Sequence, residues 1–284
     1  MRLGVAGLLG DGSAEAARRI RDLGFNIASW HLPSLAIARD PAALLAVRDA
    51  LQAEDLELVQ ILPPDYPSLV APDPAEREQG VEALADVISA AVRLQVDNVY
   101  VRPGSLNPAG PWTPHPLHRV PETRERLVES LGALCPRAED AGVRLSLEAH
   151  VLSPLYSARA AREVMDAVGS PALAFNADPV NLLGSVEQVY GNTAVIEELF
   201  DLLGDRIVTG HAKDVCLGDS LVLHVEEAIP GMGVLDHETF LRRFEECQPR
   251  GAVLIEHLPA ERVTEARRAL LHYADSAGVV LRAG

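Results

Sequence analysis

Glu148, Asp178, His211 and Glu256 stand at or near the C-terminal ends of four successive apolar runs, SLEA, FNAD, VTGHA and VLIE. Charged side chains are seldom buried without a partner, so a carboxylate closing three dry runs asks for something to neutralise it. If those ends meet, three carboxylates about 5 Å apart repel by roughly 3 kcal/mol per pair at an effective dielectric near 20. A divalent cation removes the repulsion. Three carboxylates and a neutral imidazole around a +2 ion leave a net −1, and hard oxygen ligands with one histidine suit Mn, Mg or Co better than a structural Zn. Positions left open would take substrate oxygens. Singly, each residue also reads as a helix cap or an arginine partner, Asp178 before Pro179 most of all; four together are harder to read that way.

The four runs belong to a pattern repeated eight times: a short β-branched or Leu-rich run, turn residues, then an amphipathic stretch of helical period. The strand candidates are LGVAGLL from Leu3, FNIASW from Phe25, LELVQIL from Leu56, NVYVRPG from Asn98, VRLSLEA from Val143, LAFNAD from Leu173, RIVTGHAK from Arg206 and GAVLIEH from Gly251. Ser13, Asp40-Pro41, Asp73-Pro74 and Pro121-Glu122 are helix starts, and Gly24, Gly142 and Gly278 follow helix ends. Strands alternating with helices call for a parallel sheet, and eight units in this length match a (β/α)8 TIM barrel over 1–284 as one domain. A doubly wound sheet is the competitor, but GLLGDGS lacks the G-x-G-x-x-G spacing expected after its first strand. In a barrel, the long connections Pro63–Pro74 and Ser105–Val120 lie on the carboxyl face, as binding loops or as oligomer contacts.

The 284 residues carry 25 Lys plus Arg against 41 Asp plus Glu, a formal charge of −16 that repels phosphate backbones and anionic membranes. Nucleic acid and membrane partners are therefore not expected. The pairs Arg18-Arg19, Arg242-Arg243 and Arg267-Arg268 read as solvated helix faces. Cys135, Cys216 and Cys247 show no C-x-x-C spacing and read as reduced thiols. With neither a membrane-length apolar run nor a secretory start, a cytoplasmic location is the expectation.

The motifs SLEAH, NADPVN, GHAKD and IEH resemble those of the xylose-isomerase-like TIM-barrel superfamily, which includes ketose 3-epimerases, inosose dehydratases, hydroxypyruvate isomerases and endonuclease IV. PGMGVLD, Pro230 to Asp236, resembles the P-G-x-G stretch that follows the seventh strand there. The resemblance implies one divalent metal on Glu148, Asp178, His211 and Glu256, with the two glutamates moving protons. It also implies a carbohydrate substrate and a homo-oligomer, dimer or tetramer. Many relatives carry Asp-x-x-His where this chain has Asn181; an amide hydrogen-bonds a hydroxyl but is a poor zinc ligand, which speaks against a three-metal endonuclease site.

A cation on the carbonyl and adjacent hydroxyl of a sugar acidifies the neighbouring C–H, which Glu148 or Glu256 can remove as general base. Return of the proton to the opposite face gives epimerisation; expulsion of a hydroxyl one carbon further on gives a lyase, of the inosose dehydratase or 3-keto-glycoside kind. A carbohydrate-binding barrel without turnover is the third reading. His150, two residues past Glu148, is a candidate acid or substrate donor, or else a capping residue. Arg102 is placed to clamp a substrate oxyanion or to pair with the acidic cluster, and Lys213 to stabilise an enediolate oxygen, with Asp214 orienting Lys213 or His211. His257 alternates away from Glu256 and is expected behind the wall. Trp30, His31, Tyr66, Trp112 and His115 lie at strand ends or in the long connections as sugar-lining candidates, core packing being equally consistent for Trp30. Gly231 and Gly233 offer a weak phosphate-cradle reading, and Asp236 a helix cap.

Overall fold

Strands whose side chains are buried on both faces cannot stand at an edge, and here they close on themselves. The computed structural model describes residues 1–283; Gly284, the last residue of the expected domain, lies outside them. The barrel strands are β1 (Arg2–Val5), β2 (Ile27–His31), β3 (Glu57–Leu62), β4 (Asn98–Val101), β5 (Arg144–Leu147), β6 (Leu173–Ala177), β7 (Ile207–Ala212) and β10 (Ala252–Ile255). They pair in parallel in the closed order β1-β10-β7-β6-β5-β4-β3-β2. β7 and β10 are in register with His211 opposite Leu254, which sets the ends of these two strands side by side. The expected runs hold their places but overreach: the first ends at Val5, because Gly7, Gly10 and Gly12 then take positive φ and turn the chain into a loop.

Helices follow the strands and cover the barrel. Ser13, Asp40 and Asp73 cap the helices Ala14–Asp22, Pro41–Ala53 and Pro74–Leu94 by accepting from their first-turn amides. Gly142 and Gly278 close two others in the left-handed conformation. Close approach is enforced at Gly210, one residue before His211: a Cβ there would stand 3.0 Å from the Phe244 ring and 3.1 Å from that of Phe240, both on the helix His237–Cys247.

One unit departs from the repeat. Between β7 and its helix the chain makes an antiparallel hairpin, β8 (Asp214–Leu217) with β9 (Val225–Ala228). β9, reading VEEA, is half exposed and so gave no apolar run to read, and β8, buried at Asp214 and Val215, follows β7 after Lys213 with no turn residue to separate them. The three cysteines are free thiols, as expected. Arg18, Arg19 and Arg242 pair with acids on exposed helix faces, whereas Arg243 is largely buried over Phe200 and Arg267 packs over Phe25 with Nε buried, so these two are not solvated as expected; among the described residues no helix is long and apolar enough to cross a membrane.

Candidate metal and substrate site

The C-terminal ends of β5, β6, β7 and β10 bring Glu148, Asp178, His211 and Glu256 together at the mouth, each no more than 6% exposed. Ligand atoms of Glu148, Asp178 and His211 all lie within 4.8 Å of one another, close enough to share one ion. His211 Nδ1 is 3.1 Å from Glu148 Oε1 and 3.1 Å from Glu256 Oε2. Although these approaches are short, His211 Nδ1 and both oxygens of Asp178 lack any partner in hydrogen-bonding geometry. Buried polar atoms left without bonds demand an explanation. Glu148, Asp178 and His211 form a donor set, two carboxylates and an imidazole, that fits a divalent cation; Glu256 stands outside that trio and approaches it at His211 Nδ1.

A positive charge already stands there. Lys213 Nζ lies 2.8 Å from Asp178 Oδ2, 3.1 Å from Glu256 Oε2 and 3.3 Å from Glu227 Oε1, and it donates to Asn181 Oδ1 at 3.3 Å. Burial disfavours its charge, but the carboxylates outweigh burial and hold the lysine protonated well above its ordinary value. Burial likewise opposes charge on His211, yet Glu256 and Glu148 push its pKa up to about 10. For Asp178 burial wins over Lys213 and raises the carboxyl to about 6. Burial is overcome by His211 and Lys213 at Glu256, which is held well below the usual carboxylate range.

A polar floor supports these groups. Tyr100 Oη donates to Glu148 Oε2 at 2.8 Å, and Asn176 Nδ2 donates to Glu148 Oε1 at 2.7 Å. Beneath them, Gln60 of β3 reaches Ser146, Asn176, Thr209 and the His211 ring. Tyr100, Gln60 and Asn176 were not among the expected site residues. The available clue was a polar residue in the middle of an apolar strand run, as in ELVQIL and LAFNA.

Above the floor opens a cavity of about 320 Å³, lined by His31, Arg102, Trp112, His150, Asn181, Lys213 and the two glutamates, among others. Trp112, from the second long connection, tilts against His150 at 5.6 Å between centroids. His150 Nδ1 accepts from Leu152 N, which leaves its other nitrogen unclaimed by that turn. Arg102 is not drawn to the acidic cluster: its guanidinium pairs with Asp65 at 2.8 Å, donates to Pro64 O and lies over the Tyr66 ring.

Several expectations are corrected. Of the two readings left open for Trp30, the core one holds: it is fully buried and donates to Gly10 O. His115 caps the short helix Pro116–Arg119 by accepting from Leu117 N and does not line the cavity. Asp214 touches neither Lys213 nor His211; its carboxylate accepts from Val215, Gly231, Gly233 and Leu235 amides and faces His237. The Gly231 and Gly233 amides are thereby committed, which removes the phosphate-cradle reading. Asp236 caps the next helix as expected. His257 is not behind the wall: at φ +58 its backbone leaves strand alternation and turns the ring into the cavity. There Nδ1 is 2.9 Å from Glu227 Oε2 and Nε2 is 3.6 Å from Glu256 Oε2. Glu227, on β9, was missed along with its hairpin.

The family model described as "Xylose isomerase-like TIM barrel" matches residues 17–274. Among solved structures, a D-tagatose 3-epimerase-like protein aligns with a TM-score of 0.77 at 19% identity over 98% of each chain. A xylose isomerase-like TIM barrel protein from Mycobacterium smegmatis, in complex with magnesium, aligns with a TM-score of 0.73 at 18% identity over 97% of each chain. The 3-keto-D-glucoside 4-epimerase of E. coli, in its apo form, aligns with a TM-score of 0.71 at 15% identity over 97% of this chain and 99% of its own. No curated protein matches the chain.

Proposed function

The chain belongs to the xylose isomerase-like TIM barrel family, and from that premise we propose that it is a divalent-metal-dependent isomerase or epimerase of a small ketose or keto-polyol. The observation that carries this reading is the meeting of Glu148, Asp178, His211 and Glu256 beneath a cavity of about 320 Å³, near the lower end of the range for small-molecule sites. Those four residues would hold the ion, Mn, Mg or Co before Zn. When bound, the ion supplies Lewis acidity to the carbonyl and adjacent hydroxyl of the sugar.

The chain's own groups supply the rest. Glu148 is held at both oxygens by Tyr100 and Asn176. Glu256 has only ionic neighbours, Lys213, His211 and His257, so it is the freer carboxylate to take the proton from carbon. Glu148, coming from β5, is ionised in the resting site; it takes a proton from water and passes it to carbon from the other side, while Glu256 gives up to water the proton it removed. Lys213 faces the negative charge that builds on the substrate oxygen. Arg102, Asn181, His31 and His150 offer polar contacts to hydroxyls, and Trp112 offers a ring face for sugar C–H groups.

The reading is tested by incubating the Mn-loaded protein in deuterated water with ketoses, inososes and 3-keto-glycosides. Incorporation of one deuterium beside the carbonyl, without loss of water, is the expected result. Loss of water with an ultraviolet-absorbing diketone would make the protein a lyase instead. Binding of a sugar without exchange or turnover would make it a carbohydrate-binding barrel.

A further inference from the structure

The floor of the site has a hydrogen-bond order that follows from one ionised group. Glu148 is acceptor-only as a carboxylate, so the Asn176 atom 2.7 Å from its Oε1 is the amide nitrogen. Asn176 must then turn its carbonyl oxygen inward, where Thr209 Oγ1 donates to it at 2.7 Å and Gln60 approaches at 3.3 Å. Facing an oxygen that only accepts, Gln60 must present its own nitrogen, which also lies 3.2 Å from Ser146 Oγ and 3.1 Å from Thr209 Oγ1. Its carbonyl oxygen is left for the His211 ring, with Nε2 at 3.3 Å. Gln60 Oε1 can only accept, so Nε2 carries the hydrogen. All of this is dry: Gln60, Ser146 and Asn176 are fully buried, and reversing either amide would set donor against donor and acceptor against acceptor.

We infer that Gln60 is a positioning residue for the cation site: by accepting from His211 Nε2–H it keeps a hydrogen on that nitrogen, so that Nδ1, which faces Glu148 and Glu256, is the nitrogen the ring gives up to a cation. It touches neither cation nor substrate. Its role is to hold a ring that β7 supplies from across the barrel, on a strand that contributes no ligand of its own. The order runs from Glu148 through Asn176 and Gln60 to His211, so one ligand's charge dictates which nitrogen another ligand offers. Partners of this kind on ligating histidines typically change metal affinity by about 10–100-fold. The inference rests on the proposed cation site.

The test compares Mn2+ and Co2+ affinity of the whole protein by titration calorimetry for wild type, Gln60→Met and Gln60→Glu, each checked for its far-ultraviolet dichroism. Methionine keeps the length and apolar fit but has no carbonyl; affinity should fall about tenfold or more, and the visible band of bound Co2+ should move. Glutamate restores an acceptor to Nε2–H and should bind more tightly than the methionine variant even though it disturbs Asn176. A purely structural role would weaken both variants alike and leave the cobalt band in place. In the wild type loaded with Zn2+, nitrogen-15 spectra of the histidines should place the ring hydrogen of His211 on Nε2, a measurement that needs no variant. A hydrogen on Nδ1, or Gln60→Met affinity equal to wild type, overturns the inference and leaves the cation site standing. A wild type that takes up no divalent cation overturns both.

Discussion

Lys213 Nζ lies 2.8 Å from Asp178 Oδ2, with both side chains almost wholly buried. The ammonium neutralises part of the carboxylate cluster, and by the same charge it repels a dication held by Asp178 and Glu256. Replacing it with methionine should therefore tighten Mn2+ binding, by about tenfold or more on the few kcal/mol expected between close charges at an effective dielectric near 20. Turnover should fall about 10²–10³-fold, because the group facing the developing oxyanion is gone. Calorimetry and kinetics read the two effects separately. Weaker Mn2+ binding in Lys213→Met would show instead that the lysine organises the ligands.

Glu148 and Glu256 differ in how they are held, so their amide variants should fail differently. Glu256→Gln removes the freer base and should lower solvent exchange into substrate about 10²–10⁴-fold. Both variants also remove a charge from the proposed cation site, so each is assayed at saturating Mn2+; under that condition the proton still leaves in Glu148→Gln, but none returns from the opposite side. That variant should keep exchanging deuterium at one carbon while forming little epimer. Equal loss of exchange in both would refute the division of labour.

The barrel, and the convergence of four polar side chains at its mouth, were legible in the sequence for one reason: strands buried on both faces read as apolar runs, and a charge at the end of such a run stands out. His211 and Glu256 are of this kind. Where burial was partial the signal vanished, and Glu227 lies on β9, the half-exposed strand that no apolar run announced. His257 was misplaced because strand alternation was extended one residue too far, past the point where φ becomes +58. Asp214 was assigned to its sequence neighbours, whereas its carboxylate turns to amides 17 to 21 residues onward. Gln60 could not be connected to His211 from sequence, since they lie on strands that share no edge.

Cation uptake should release protons. The metal-free His211 ring is protonated below about pH 10, held so by Glu256 and Glu148 against burial, while Asp178, raised by burial, is protonated below about 6. Binding at Nδ1 and at the aspartate expels those protons, so affinity should rise about tenfold per pH unit between 6 and 10, and more steeply below 6. Both folded pKa values lie above their unfolded ones. Their contribution to the stability of the metal-free protein is therefore full below the unfolded values and is lost as pH rises through about 6 for Asp178 and about 10 for His211. The loaded protein loses no such contribution, so the gap in Tm between loaded and chelator-treated protein should widen with pH. At 100 Kd of free ion the added stabilisation should be about 2.7 kcal/mol. Melting curves at pH 6.5 and 9 in Mn2+ or chelator check this; a gap that narrows with pH would refute it.

Asp214 holds the segment that carries β9 back toward the next helix, and its loss should separate stability from metal binding. Oδ1 accepts from Val215 and Leu235 at 2.8 and 2.9 Å, and Oδ2 from Gly231 and Gly233 at 2.9 and 3.1 Å. A Cβ at Gly233 would stand 2.3 Å from Asp214 Oδ1, so the loop is built round the carboxylate. Asn in its place turns one oxygen into a donor facing two donors, which should cost about 3–6 kcal/mol at roughly 1.5–3 kcal/mol per charged hydrogen bond. Burial opposes the Asp214 charge, but His237 and the backbone amides outweigh it and lower the pKa. A depressed carboxyl contributes stability that is present above its unfolded value, about 3.9, and lost as pH falls through the folded one. Urea unfolding should then show the full difference between wild type and Asp214→Asn at neutral pH and a smaller one in acid. Because Asp214 touches none of the four proposed ligands, Mn2+ affinity at neutral pH should change less than threefold, roughly the error of additivity between separate sites. Turnover should drop as the hairpin loosens and Glu227 leaves His257. A tenfold loss of Mn2+ affinity would instead make Asp214 part of the cation site.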